Sequence, residues 1–395
     1  MFAFIKNFFQ SNKKDNFLIV TFLENKIEII AFQVDFVNKD LEIKKIFKKE
    51  LEDDLSYLKK IFSNVFYPKS YKVIFNFDSN LAVTNFGSIV VFRDKPLVTI
   101  NQADLENLIS QAIFNFFWPT RKYAARRLNI PELETLVCDI KIYNVLLDEH
   151  TSFDLLKEKG KKLNFYLSET FCNREFLKKL ISFLPNRAEI VFIAEAGCVL
   201  LHLISRYLKK SLLLARVGDD KTSLFLKTKE GNISYFDSFQ WGRNNLYSAL
   251  AKEFHVSFEV AKSIMDRYFE NKTSILFSKK LNFSLKKELA LFNKGLEIMN
   301  SKAKAKCLII DMEPLLVKDL KIKNISKESL IPIDTQKILD IFNFKLKPSF
   351  YFYHNKQDIQ YKNLYSLATL LEFYFIPQKD LINKLARRRM RWLIP

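Results

Sequence analysis

Apolar and polar positions alternate with a period of two in a series of short runs over the first eighty or so residues. FLIVTFLENKIEIIAFQVD, starting at Phe17, reads as two strands joined by a tight turn at Glu24-Asn25. DLEIKKIFKKEL reads as a third strand and YKVIFNFD, Tyr71 to Asp78, as a fourth, with helical spacing from Leu51 to Val65 between them. Further strands are expected around Ser88 to Phe92, from Leu136 to Leu147 and from Leu163 to Phe171. The stretch Val98 to Phe117 is helical: Asn101 or Gln102 caps it, and Leu105, Leu108, Ile109, Ala112, Ile113 and Phe116 form one apolar face. Another helix is expected from Asn173 to Phe183.

The second half opens with AEIVFIAEAGCVLLHLI, a strand that turns into a buried helix through Gly197. Leu212 to Tyr268 reads as strand, turn with Gly218, strand, hairpin around Glu230-Gly231, strand, and then Trp241-Gly242 opening an amphipathic helix. A helical stretch from Leu285 to Met299, the strand KCLIIDMEP and the apolar helix LYSLATLLEFYF follow. No internal repeat is evident, and no low-complexity segment beyond a general Lys/Asn bias.

A chain of 395 residues is long enough for two or more compact units. Only 7 of them are glycine, which handicaps any mechanism built on Gly-rich phosphate cradles. The formal charge of +19 implies attraction to polyanions, but dispersed lysines on a solvated surface produce the same number, so only local clusters carry information. The run Arg121-Lys122 to Arg126-Arg127, beside Trp118 and Tyr123, reads as a solvated helix end in preference to a nucleic-acid site, and no nucleic-acid partner is expected. Cys138, Cys172, Cys198 and Cys307 lie far apart in apolar contexts and read as buried free thiols of a reducing compartment. His150, His202, His255 and His354 have no nearby carboxylate or nucleophile motif, so no catalytic histidine is expected. No apolar run reaches the roughly 18–20 residues of a spanning helix. The opening MFAFIKNFFQ is too short for a signal peptide and has its cation after the apolar run; it reads as a short packed helix or a dip into a membrane surface.

The order of elements from Leu212 to Tyr268 resembles the second phosphate-loop half of the actin-like ATPases, and among them the bacterial cell-division protein FtsA. Gln-x-Asp-Leu-Glu-Asn-Leu-Ile, at Gln102 to Ile109, matches FtsA closely, and LYSLATLLEFYF resembles the family's Tyr-Ala-Thr-Ala-x-Gly-Leu helix, with Leu371 or Glu372 in place of its glycine. The resemblance implies an α/β, actin-like (ribonuclease H-like) two-domain fold with an inserted α+β domain of the SHS2 type. On that reading residues 1–16 are a leader, 17–83 the opening stretch of domain I, 84–185 the insertion, 186–376 the rest of both domains, and 377–395 a basic amphipathic helix.

The residues that this family uses to hold nucleotide are replaced together. The family's acid and glycine in the first loop align with Thr21 and Leu23, and only Lys26 is kept. Its Asp-x-Gly-Gly-Gly-Thr-Thr turn aligns with Arg216, Val217, Gly218, Asp219, Asp220, Lys221 and Thr222, ahead of the helix opened at Gly242. Lys262 and Met265 stand where the family's Glu and Lys approach ribose and base, and Asp311-Met312 stand where its Gly-Gly lies against the nucleotide. The expectation is a scaffold that has lost phosphate chemistry, with no cofactor; retained ATP/Mg binding by a divergent enzyme is the alternative. The C-terminal segment gathers Leu381, Ile382, Leu385, Ala386, Met390, Trp392 and Leu393 on one side and Lys384, Arg387, Arg388 and Arg391 on the other, with Arg389 intruding. That composition fits an interfacial membrane helix, a docking helix being the rival. The FtsA resemblance implies a cytoplasmic scaffold, peripheral on the inner face of the membrane, that binds the C-terminal tail of the tubulin-like polymer FtsZ and self-associates. A cytoplasmic platform for type IV pili, like the pilus-assembly protein PilM, is the alternative on the same fold.

Overall fold

The computed structural model describes residues 14–51, 54–66, 71–151, 155–186, 188–270, 272–312, 314–317, 320, 322, 325–347, 364–376, 381–390 and 393. The first sheet is built on the strands β1 (Asp15–Phe22), β2 (Lys26–Asp35) and β3 (Asp40–Glu50), which meander antiparallel. Strand β4 (Lys72–Phe77) lies parallel to β1, and β9 (Glu189–Glu195) lies parallel to β4, giving the order β15-β3-β2-β1-β4-β9 with the short β15 (Lys345–Leu346) at the edge. The second half repeats this plan. Strands β10 (Leu212–Val217), β11 (Thr222–Lys227) and β12 (Ile233–Phe239) are antiparallel, while β13 (Cys307–Asp311) and β14 (Leu330–Pro332) add in parallel on the other side of β10. Both sheets therefore run third, second, first, fourth, fifth.

The segment between β4 and β9 supplies β5 (Ala82–Phe92), α2 (Gln102–Leu128), β6 (Thr135–Leu147), β7 (His150–Thr151), β8 (Lys162–Asn173) and α3 (Arg174–Phe183). Strand β5 pairs with β8 along its length and with β12 at Ile233↔Phe86, so the second sheet continues without a break to nine strands, β14-β13-β10-β11-β12-β5-β8-β6-β7. Strand β5 starts earlier than its alternation indicated, because residues 82–87 are buried on both faces and the period of two disappears there. Helix α1 (Tyr57–Phe66) starts later than expected, since the third strand runs on to Glu50 and Asp54 then turns the chain by accepting from the Ser56 N–H (3.0 Å). Helix α2 is capped by Asn101, which accepts from the Asp104 N–H (2.9 Å). It runs on through Pro119 to Leu128, past the expected end at Phe117, with the Thr120 hydroxyl donating to the Phe116 carbonyl (2.6 Å) beside the proline.

The core between the sheets contains the helices α4 (Ala196–Ser205) and α10 (Leu364–Phe375), buried nearly all round. Such a helix has no solvent face for a charge, yet α10 carries Glu372, which is fully buried. It is held by Arg206 (2.8 Å) and by Nδ1 of His202 (2.9 Å) from the far end of α4. Burial alone would raise the Glu372 pKa, but Arg206 and His202 pull it down to about 2, while burial lowers that of His202. His202 does have a carboxylate partner; the sequence hid it because the two lie 170 positions apart. The outer face of the first sheet packs on α1 and α3. Helices α5 (Arg243–Phe254), α6 (Phe258–Phe269), α7 (Ile275–Ala303) and the short α8 (Pro314–Val317) cover the outer face of the second, and α9 (Thr335–Phe342) joins the central core through Ile338 and Leu339. All four cysteines are free thiols, three buried and Cys138 half-buried.

The C-terminal helix α11 (Leu381–Met390) lies on β6 and α2, where Leu385 and Ala386 complete the core of the inserted layer and Leu381, Ile382, Met390 and Leu393 pack around them. Asn383 is buried and makes a two-way bond with the open edge of β6: its Nδ2 donates to the Ile142 carbonyl (2.8 Å) and its Oδ1 accepts from the Ile142 N–H (2.9 Å). Arg388 (2.6 Å) and Arg389 (2.9 Å) both reach Glu106 on α2, so Arg389 intrudes on the apolar side to meet a carboxylate. The apolar face that the sequence offered to a membrane is covered here by protein, as in the docking alternative; Lys384 is exposed, and Arg391 and Trp392 lie outside the described residues.

Replacing Asn383 with leucine leaves the Ile142 amide and carbonyl buried without these partners, and is expected to cost about 2–3 kcal/mol. A urea midpoint equal to that of the parent chain would refute the docked position. A second prediction concerns Glu169 of β8, whose carboxyl is fully buried, accepts from the Thr120 hydroxyl (2.8 Å) and is pushed by burial from 4.5 up to about 8. A raised folded-state pKa stabilises the fold below the unfolded value and loses that contribution as pH rises toward 8, by about 1.4 kcal/mol per unit. The melting temperature of Glu169→Gln relative to the parent should therefore climb between about pH 4.5 and about pH 8 and level off above. Parallel pH profiles for the two proteins would count against it.

Candidate functional site

The turns at the C-terminal ends of β1 and β10 and the end of β13 face one another across the gap between the sheets, where an open α/β fold of this kind binds ligands. In the β10–β11 turn, the Gly218 N–H donates to the Lys221 carbonyl (2.9 Å). The first free amides of α5 then turn toward that same loop, Arg243 N–H to the Gly218 carbonyl (3.0 Å) and Asn244 N–H to the Asp219 carbonyl (2.8 Å). Gly242 is required at this junction, since a Cβ there would strike the Asp219 backbone. Thr222 is buried and donates its hydroxyl to the Trp241 carbonyl (2.7 Å), and Asn244 Nδ2 donates to Asp220 (2.8 Å). A helix N-terminus beside a tight turn is a ready anion site. Here its donors are satisfied by the turn itself.

One carboxylate has entered that nest. Glu24, in the β1–β2 turn, accepts from the Asp219 N–H (3.0 Å), and its Oε2 would meet any Cβ placed on Gly218. Burial raises its pKa, while the Asp219 amide and the Lys221 ammonium oppose the rise. The first loop is thereby attached to the second by a side chain standing where a phosphate would approach. Thr21 points into the protein, hydrogen-bonded to Ser366 of α10 (2.7 Å), and Ser366 donates to the buried Glu28 (3.0 Å), which pairs with Lys48 (3.1 Å). Leu23 packs at the edge of the central core, and Lys26 is exposed at the start of β2.

Arg216 fills the middle of the cleft. It is buried, pairs with Asp78 at the end of β4 (2.6 Å), and lies 4.8 Å from the ring of Tyr365 on α10. Burial disfavours its charge, but Asp78, Tyr365 and Asp311 outweigh that and hold it firmly protonated. Asp311 accepts from the Tyr365 hydroxyl (2.5 Å), and Asn76 Nδ2 donates to the Tyr365 carbonyl (3.2 Å). Met312 is buried in the outer core of the second sheet together with Met265, while Lys262 is exposed on α6. Of the positions nominated from the sequence, Arg216, Gly218, Asp219, Asp220, Lys221, Thr222 and Gly242 gather around one turn. Thr21 and Asp311 reach the same gap through α10. Asp78, Tyr365 and Ser366 were missed; a carboxylate closing a strand as deeply buried as β4, as Asp78 does, is the signal that would have found the first.

The gap gathers the carboxylates of Glu24, Asp219, Asp220, Asp78 and Asp311, with Arg216 paired to Asp78 and the Lys221 ammonium near Glu24. Among the described residues no group of three or more His, Cys, Asp or Glu side chains could hold a metal ion. Through Glu24 and Arg216 the arrangement joins the loop after β1 and the end of β4 to β10 and the turn that follows it.

No family model matches the chain, and no curated protein matches it. Among solved structures, a PilM-PilN type IV pilus biogenesis complex is similar at 12% identity and a TM-score of 0.54, over 92% of this chain and 99% of that one. A Bacteroides thetaiotaomicron protein with an actin-like ATPase fold and unknown function aligns at 16% identity over 65% and 81% of the two chains, TM-score 0.29. The ethanolamine utilization protein EutJ from Carboxydothermus hydrogenoformans aligns at 7% identity over 90% and 89%, TM-score 0.38. The chain has the actin-like ATPase fold.

Arg216→Met leaves Asp78 buried without its cation and is expected to destabilise the protein by about 3–5 kcal/mol, whereas Arg216→Met combined with Asp78→Leu recovers most of that loss. Urea unfolding of the two variants checks this; a double variant no more stable than the single one would refute the pairing.

Proposed function

We propose that this chain is a nucleotide-independent, actin-fold platform of the PilM type, working at the inner face of a membrane to hold other components of an assembly together. The observation that carries nucleotide independence is the self-closed cleft: Glu24 on the Asp219 amide and Arg216 on Asp78 occupy the approach to phosphate. A pilus-assembly role is supported by the similarity in fold to PilM along nearly the full length of both chains. The packing of Leu385 and Ala386 into the inserted layer supports it too, because a C-terminal tether is what sets the FtsA-type scaffold apart. The partner is a protein of the same assembly, as PilN is for PilM in that complex.

The second reading is the FtsA-type scaffold of cell division, binding the tail of a tubulin-like polymer and self-associating on the membrane. The Gln102 to Ile109 sequence favours it. It requires α11 to leave its seat on β6, exposing Leu385 and Ala386.

Calorimetric titration with Mg-ATP is expected to show binding weaker than about 1 mM, less than about 4 kcal/mol of free energy, and no turnover. Micromolar binding that disappears in Lys221→Ala would overturn the platform reading in favour of a divergent working ATPase.

A further inference from the structure

Helix α7 presents a surface that the site and its closed cleft do not use. Its inner side, Leu281, Leu285, Phe292 and Leu296, is buried against the second sheet. Its outer side exposes Leu276 (80%), Phe283 (77%), Leu291 (52%) and Ile298 (48%). These residues recur about every two turns, in a line of about 33 Å at 1.5 Å per residue. At 100° per residue, Lys279 and Lys286 fall to one side of that line, Lys302 to the other, and Lys280, Lys287 and Lys294 between its apolar residues. The acidic residues of the helix, Glu288 and Glu297, are half-buried toward the protein. Among these cations Lys280 lies 4.9 Å over the Phe254 ring, with its stem along the protein surface.

We infer that this ridge of α7 lies on an anionic lipid surface, its four apolar side chains entering the headgroup boundary and its lysines meeting the lipid phosphates. Charge complementarity selects the occupant. A second copy packed ridge to ridge would bring lysine rows together, which like-charge repulsion opposes. Exposed apolar side chains interleaved with lysines and flanked by them, whose long stems let the ammonium groups reach up to the phosphates, suit a helix lying in an interface, where each added cation strengthens attraction to an anionic leaflet. A single-file convex ridge meets a flat bilayer along its whole length. The inference rests on the membrane location in the proposed function, and moves the contact from α11, whose apolar face is occupied, to α7.

Flotation of the full chain with vesicles of phosphatidylcholine alone and of phosphatidylcholine with phosphatidylglycerol tests it. The parent chain is expected to float with the anionic vesicles only, and less well as salt rises, because screening weakens the attraction. The variant Leu276→Ser/Phe283→Ser/Ile298→Ser and the variant Lys279→Glu/Lys286→Glu/Lys287→Glu should each partition at least tenfold more weakly. Both should keep the parent's melting temperature within a few degrees, since the altered side chains are exposed. Variants that float as well as the parent would overturn the α7 assignment and leave the membrane location to another surface. A parent chain that floats with neither vesicle would overturn both the assignment and the membrane location, while the nucleotide-independent platform is judged by its own calorimetry. Capture by polyglutamate without vesicle binding would overturn the lipid assignment in favour of an acidic protein.

Discussion

The charged and polar side chains buried in the cleft between the two sheets pair with one another, and the arrangement of α10 follows from those pairings. Charges removed from water cost several kcal/mol unless each finds a partner of good geometry. Arg216 and Asp78 are both buried and meet at 2.6 Å, with Tyr365 beside the guanidinium. Tyr365 in turn reaches Asp311, Ser366 reaches Glu28 and Thr21, and Glu372 on a later turn reaches Arg206 and His202. A single helix thus contacts the end of each central strand, and its sequence LYSLATLLEFYF places its few polar residues at those contacts.

The same contacts join the two halves of the actin-like fold. Here Glu24 bridges the first and second loops, and Arg216 bridges β10 to β4. The two halves are linked by covalently supplied groups whose effective concentration does not depend on any solute. On the platform reading proposed above, links of this kind suit a rigid support better than a switch.

Several elements were legible in the sequence: β1 to β4, β6, β8 and α3 fall close to where apolar runs, alternation or helical spacing put them. The start of β5 was hidden because a strand buried on both faces loses its alternation. The shared strand order of the two sheets was hidden for a different reason, since it is a property of backbone connections that dissimilar side chains satisfy equally well. The helix α11 shows the limit of the amphipathic pattern: an apolar face is equally content with lipid tails or with a protein core. Two residues pointed to the core. Asn383, on the apolar side, is costly in lipid and cheap against an open strand edge, and Arg389 intrudes where a carboxylate such as Glu106 awaits it. His202 and Glu372 could not be paired from sequence because 170 positions separate them.

The continuous nine-stranded sheet has a mechanical consequence. Strand β5 is joined to β8 by a ladder running from Ala82↔Cys172 to Phe92↔Lys162, but among the described residues it meets β12 at the single pair Ile233↔Phe86. A tension drawn across the strands, from the inserted layer toward the second half, therefore concentrates on that seam. Two stitches from α2 reinforce it, the Tyr123 hydroxyl on the Tyr235 carbonyl (2.8 Å) and the Arg127 guanidinium 3.6 Å from the Tyr235 ring. Because bonds loaded across a sheet give way in succession, the inserted layer would peel from the second half as an intact piece, with the β5–β8 ladder and the cleft still closed behind it.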